Sequence, residues 1–146
     1  MKQTMRQILF AAAATAAFVS APLPVLASGL FAPVITVDDQ VVTRFELEQR
    51  IMLLDFLNIP GNPETVAREQ LVEDRLKLGA ARSFGLTVTP EGLEAGLSEF
   101  AARGNLKPEQ LLQLLAQDGI DKQALVDFVT VGLTWRELVN GRFGRR

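Results

Sequence analysis

The sequence predicts a mostly α domain, about five helices preceded by a short β-hairpin. Three observations carry this. Four of five helical segments begin at a capping residue and the other at Lys107-Pro108, and several end on Gly or a Pro-Gly break. Within them apolar residues recur at three- and four-residue spacing. Only one stretch, Val34 to Thr43, reads as paired β-branched runs around a polar turn. With 146 residues, 48% of them hydrophobic, the chain is long enough for one domain with a core and too apolar to be disordered.

The first 27 residues have the layout of a secretory signal. Lys2 and Arg6 give a positive start, Ile8 to Val19 an apolar run, and Val25-Leu26-Ala27 a small-residue end. Cleavage is expected between Ala27 and Ser28, leaving residues 28–146 as the domain. The run of 12 residues falls short of the roughly 20 needed to cross a bilayer, so no stable membrane insertion is expected. A retained anchor is the alternative. Losing Lys2 and Arg6 leaves 13 basic against 17 acidic side chains, a net charge of −4. That balance offers no field for nucleic acid.

Each element follows from its punctuation. Asp38-Asp39 turns the hairpin. Thr43 and Glu46 form a capping box that opens a helix to about Asn58. This helix carries two apolar stripes, Leu47, Ile51 and Leu54 on one side and Phe45, Met52, Phe56 and Ile59 nearly opposite, so it needs two partners. Ile59-Pro60-Gly61 breaks it. Asn62-Pro63 restarts a second helix, with Val72, Leu76 and Ala80 in a row, stopping at Gly85. Thr89-Pro90 opens a third, with Leu93, Leu97, Phe100 and Ala101, closed by Gly104. Lys107-Pro108 opens a short fourth, with Leu111, Leu112, Leu114 and Leu115, ended by Gly119. Asp121 caps a fifth reaching about Val139, with Leu125, Val129 and Trp135 on one face. Its β-branched content leaves a buried strand as the alternative.

Chemistry is constrained by absences. The chain has no His, Cys or Tyr, so the usual zinc, haem and iron–sulfur donors and the histidine-based nucleophile systems are missing. No metal, cofactor or catalytic residue is expected. Glu73 and Asp74 diverge by about 100° on a helix and cannot act as an acid–base pair. Asp118-Gly119-Ile120-Asp121 lacks the ligand pattern of a calcium loop and reads as a helix stop followed by a cap. Five helices in 119 residues are short of surface to cover both stripes of the first. Phe45, Met52, Phe56 and Ile59, with Trp135, are therefore the candidate residues for binding an apolar peptide segment.

Val34 to Thr43 leading into Glu46-Leu47-Glu48-Gln49-Arg50, then Glu69 to Leu78, Gly85 to Thr89, Asn105 to Leu111, Asp118 to Asp121 and Trp135 to Val139, resemble in order and spacing the N-terminal domain of SurA-type periplasmic chaperones. The resemblance implies an ATP-independent periplasmic domain that binds unfolded outer-membrane proteins, favouring aromatic-rich segments. In that family the domain is followed by parvulin-type prolyl isomerase domains and a C-terminal helix that returns to complete it. The sequence stops at Arg146, where a parvulin domain is expected, so no isomerase residue carries over. Two other readings stay open: a fragment of a prolyl isomerase whose catalytic domain is missing, and a small secreted adaptor.

Overall fold

Alternation in Val34 to Thr43 folds into two antiparallel strands, β1 (Pro33–Val37) and β2 (Gln40–Thr43), with Ile35 opposite Val42 and Val37 opposite Gln40. Asp38 turns the chain at φ 53°, a left-handed conformation that Asp tolerates. This computed structural model describes residues 29–144, so the secretory-signal reading of residues 1–27 lies outside the described residues.

Five helices follow: α1 (Arg44–Phe56), α2 (Pro63–Ser83), α3 (Pro90–Arg103), α4 (Pro108–Gln117) and α5 (Lys122–Phe143). Their starts are fixed by hydrogen bonds to otherwise orphaned donors. Thr43 Oγ1 accepts from Glu46 N at 3.2 Å while Glu46 Oε2 accepts from Thr43 N at 2.8 Å, completing the capping box. Asn62, Thr89 and Asp121 side chains accept from Thr65, Gly92 and Gln123 backbone amides. Gly85 and Gly119 take the left-handed conformation just past α2 and α4. After α3 that conformation falls on Asn105 rather than on Gly104.

The fifth segment is helical throughout, and it runs four residues past the expected end. β-branched residues each cost only tenths of a kcal/mol in a helix. Burial of Leu125, Val129 and Val131 outweighs that. Trp135 does not share their face; it is 39% exposed, with Lys77 Nζ 5.6 Å from its ring centre.

Two clusters of buried residues hold the chain together, and α1 serves both. Leu47 and Leu54, with Ile51, join Val42, Ala67 and Leu71 beneath the hairpin and α2. Leu53, with Met52 and Phe56 beside it, joins Ala101, Leu111, Leu115, Leu125 and Val129 from α3, α4 and α5. The two stripes thus have two partners within the chain. The expected shortage of cover is corrected here, because the α3–α5 side closes much of the second stripe. On α2 the row Val72, Leu76 and Ala80 is not the buried one: Leu76 is 52% exposed, while Ala67, Leu71, Asp74 and Ala81 face inward.

α3 and α5 approach closely at Gly96, where an added Cβ would lie 2.6 Å from Leu133 Cδ1. Gly132, also helical, has open space around it. Gly132→Ala is expected to raise stability by about 0.8–1 kcal/mol, the helix-propensity difference. Gly96→Ala is expected to show no such gain, since overpacking costs about 1–3 kcal/mol. Urea-unfolding midpoints of the two variants check the contrast.

Candidate functional site

Helices α1, α2 and α5 do not close completely on one another. They leave an open trough of about 540 Å³ whose mouth is formed by Phe31 and Phe45, with ring centres 5.9 Å apart. Leu71 and Leu78 from α2 and Ala124 and Val131 from α5 supply its apolar lining. A second hollow of about 440 Å³ adjoins it, sharing Leu78 and Arg82 and extending past Leu86, Val88 and Leu93. The sequence places the mouth where it does through the capping box. Helix α1 begins at Arg44, immediately after β2, so Phe45 lies in its first turn. The Leu30 carbonyl accepts from Phe45 N at 2.7 Å and the Ala32 carbonyl from Arg44 N at 2.9 Å, which fixes Phe31 beside that turn.

Two ion pairs, Arg50–Asp74 and Arg75–Glu46, line the trough, and the charged side chains of Arg82 and Asp127 line it as well. Arg50 is 3% exposed; its Nη2 donates to Asp74 Oδ2 at 2.8 Å and its Nη1 to Gln70 Oε1 at 3.2 Å. Its guanidinium carbon sits 5.2 Å from the centre of the Phe128 ring, a cation–π contact that ties α1, α2 and α5 at one point. Burial, the largest influence, pushes the Asp74 carboxyl up from its ordinary 3.8 even with Arg50 beside it. Arg75 pairs with Glu46 and also donates to the Val41 carbonyl at 3.1 Å. Gln49 is buried and links α1 to the turn before α5, accepting from Asp121 N at 2.6 Å and donating to the Gly119 carbonyl at 3.4 Å. Among the described residues, no group of acidic side chains could hold a metal ion, and no helix is long and apolar enough to cross a membrane.

Burial pushes the Glu46 carboxyl up, but hydrogen bonds from the Thr43 amide and Arg75 outweigh it and hold the group below its ordinary 4.5. A depressed folded-state pKa contributes stability above the unfolded value and loses it as pH falls through the folded one. Glu46→Gln is therefore expected to be less stable than the wild type at pH 7. The gap should narrow as pH drops below 4.5, which unfolding midpoints at pH 7 and pH 3 will read.

The five residues expected to bind peptide are not brought together. Phe45 lines the trough, half-buried. Met52 and Phe56 pack, half-buried, against the α3–α5 core. Ile59 lies beyond the end of α1, 37% exposed, and Trp135 stands on α5 beside Lys77. Phe31, Leu78 and Val131 were missed. Phe31 precedes the first recognisable element, and Leu78 belongs to an inward series whose regularity is interrupted by the charged Asp74.

Residues 33–137 match the family described as the SurA N-terminal domain. The chain belongs to that family. It is 28% identical over 104 residues to Chaperone SurA of Methylococcus capsulatus, covering 66% of this chain and 23% of the relative. Against Chaperone SurA of Alkalilimnicola ehrlichii it is 31% identical over 116 residues, covering 74% and 27%. A third Chaperone SurA, from Pseudomonas fluorescens, is 29% identical over 92 residues, covering 58% and 22%. The chain spans about a quarter of the length of the curated relatives it matches. No solved structure matches at the same stringency. The match is to the SurA chaperone domain, not to a catalytic domain, and the relatives' names support a chaperone role.

Proposed function

We propose that this SurA N-terminal domain, exported to the periplasm and freed of residues 1–27, is an ATP-independent holdase. It takes aromatic-rich segments of unfolded outer-membrane proteins into the trough between α1, α2 and α5. The observation that carries the reading is the aromatic mouth, Phe31 on Phe45, opening onto a lining of Leu71, Leu78 and Val131. Each segment sheltered there removes apolar area from water at roughly 25 cal/mol per Å². No bond need be made or broken. Arg50–Asp74 and Arg75–Glu46 enter the trough already paired, so an uncharged segment need not separate them. Of the residues named from sequence, Phe45 is proposed to touch the client directly, and Met52 and Phe56 to seat α1 against the α3–α5 core.

Titration of a β-barrel strand peptide bearing alternating aromatics tests this. Phe45→Asp is expected to weaken binding at least about ten-fold, because it puts a charge where the apolar segment must be desolvated. Phe56→Asp is expected to lower the unfolding midpoint while the fraction still folded by circular dichroism binds as the wild type does. Equal affinity of the wild type and Phe45→Asp would remove the trough mouth from the site.

A further inference from the structure

The apolar row Val72, Leu76 and Ala80 on α2 is extended by Phe84, four residues on at the helix end. Among the described residues this row is left half uncovered, with Leu76 52% and Phe84 53% exposed. From Val72 to Phe84 it is about 18 Å long at the helical rise per residue. Leu76 lies about 140° round α2 from Leu71, so the row faces away from the trough.

Its two ends differ in shape and in charge. At the N-terminal end Val72 and Leu76 join Ile35 of β1 around a shallow hollow of about 500 Å³, rimmed by Arg68, Glu69 and Glu73. Arg68 pairs with Glu64 and Lys77 with Glu73, both at 3.0 Å, while Glu69 forms no ion pair among the described residues. That leaves the rim net acidic. At the C-terminal end the Phe84 ring stands out as a knob, with the Arg142 guanidinium carbon 4.8 Å from its centre and the 80% exposed Phe143 next on α5. An acidic hollow and a cationic aromatic knob at opposite ends of one row are complementary to the same pair on a second copy turned through a two-fold axis.

We propose that this row is the contact between two copies of the chain, paired antiparallel through α2. The axis falls between Leu76 and Ala80. Phe84 then enters the hollow at Val72 of the second copy, Leu76 packs on its Ala80, and Arg142 comes beside its Glu69. Parallel pairing would instead set Glu69 against Glu69 and Arg142 against Arg142. Ridges at four-residue spacing pack with helix axes crossing at about 50°, and the small Ala80 lets the axes approach. A row of this length with its flanking aromatics buries on the order of 1,000 Å² in total, the low end for specific pairs, so association is expected in the micromolar range. Each trough lies on the other side of α2 and stays open. On the holdase reading above, one unfolded chain is then gripped by two troughs, the second contact forming at an effective concentration on the order of millimolar.

Sedimentation equilibrium of the full 146-residue chain across the micromolar range tests the pairing. The wild type is expected to show a monomer–dimer equilibrium. Leu76→Glu and Phe84→Asp are each expected to weaken it at least about ten-fold, because a substitution enters a two-fold contact twice. Circular dichroism is expected to show both variants folded, since each position is already half exposed. Glu69→Arg and Arg142→Glu, each of which sets like charges opposite, are expected to weaken dimerisation singly. The chain carrying both is expected to regain most of the wild-type affinity, a rescue that only antiparallel pairing gives. Equal loss in the double variant and the singles overturns that arrangement. A monomeric wild type, or dimerisation that none of these substitutions alters, overturns the pairing and leaves the holdase reading standing. A monomeric wild type whose strand-peptide binding is weakened by Leu76→Glu also overturns it, and gives the row to clients instead.

Discussion

Asp74→Ala is expected to destabilise the domain by about 3–5 kcal/mol, because it leaves the Arg50 guanidinium charged and buried without its counter-ion. The Arg50 and Asp74 side chains are only 4% and 11% exposed, and the guanidinium reaches Asp74 from α1 across to α2. Gln70 and the Phe128 ring remain as partners, but neither carries a negative charge. Replacing both members, as Arg50→Met with Asp74→Leu, should recover most of the loss, since a packed apolar pair avoids the desolvation of two ions. Urea unfolding of the single and double variants decides the matter. A single variant within 1 kcal/mol of the wild type would mean that Arg50 reaches water when Asp74 is gone.

The pH response of this pair runs opposite to that of Glu46. Burial holds the Asp74 pKa above 3.8, so the folded chain binds that proton more tightly than the unfolded chain. Such a contribution is fully present below the unfolded pKa and is lost as pH rises through the folded one. The deficit of Asp74→Ala should therefore not close on acidification, whereas that of Glu46→Gln should. Two carboxylates one helix apart on the same trough thus report different balances of burial and hydrogen bonding.

How far the fold could be read in advance depended on what kind of signal each element left. Helix starts were legible because capping is local: Thr43, Asn62, Thr89 and Asp121 each satisfy a donor two or three residues on. The double stripe of α1 was legible too, since periodicity needs no knowledge of partners. What covers a stripe is a tertiary fact, and the covering of Met52 and Phe56 by the α3–α5 side could not be read from spacing. The inward face of α2 was not legible in the apolar row Val72, Leu76 and Ala80, for a specific reason. Its interior includes Asp74, acceptable there only because Arg50 arrives from a helix 24 residues earlier in sequence. The trough shares that difficulty: Phe31, Leu78 and Val131 come from three separate parts of the chain and share no motif.

Leu53→Ala is expected to cost about 2–5 kcal/mol, the range for a buried leucine whose site cannot collapse. Leu53 is 0% exposed, yet it belongs to neither stripe read from the sequence; it points into the α3–α5 core while its neighbour Leu54, 1% exposed, points into the hairpin–α2 core. Because α1 is the element common to both cores, the two substitutions discriminate between one cooperative unit and two. If the cores open separately, native-state hydrogen exchange in Leu53→Ala will quicken in α3, α4 and α5 and leave the hairpin and α2 near wild-type protection, with Leu54→Ala giving the converse. Uniform loss of protection in both variants would mean that α1, pinned by Arg50 to α2 and to Phe128 of α5, transmits the loss of either core to the whole domain. The trough lies across that same junction. The first outcome allows α5 to move against α2 while the hairpin core stays intact, which gives the site room to take segments of different bulk; the second makes it a fixed cleft that selects for size.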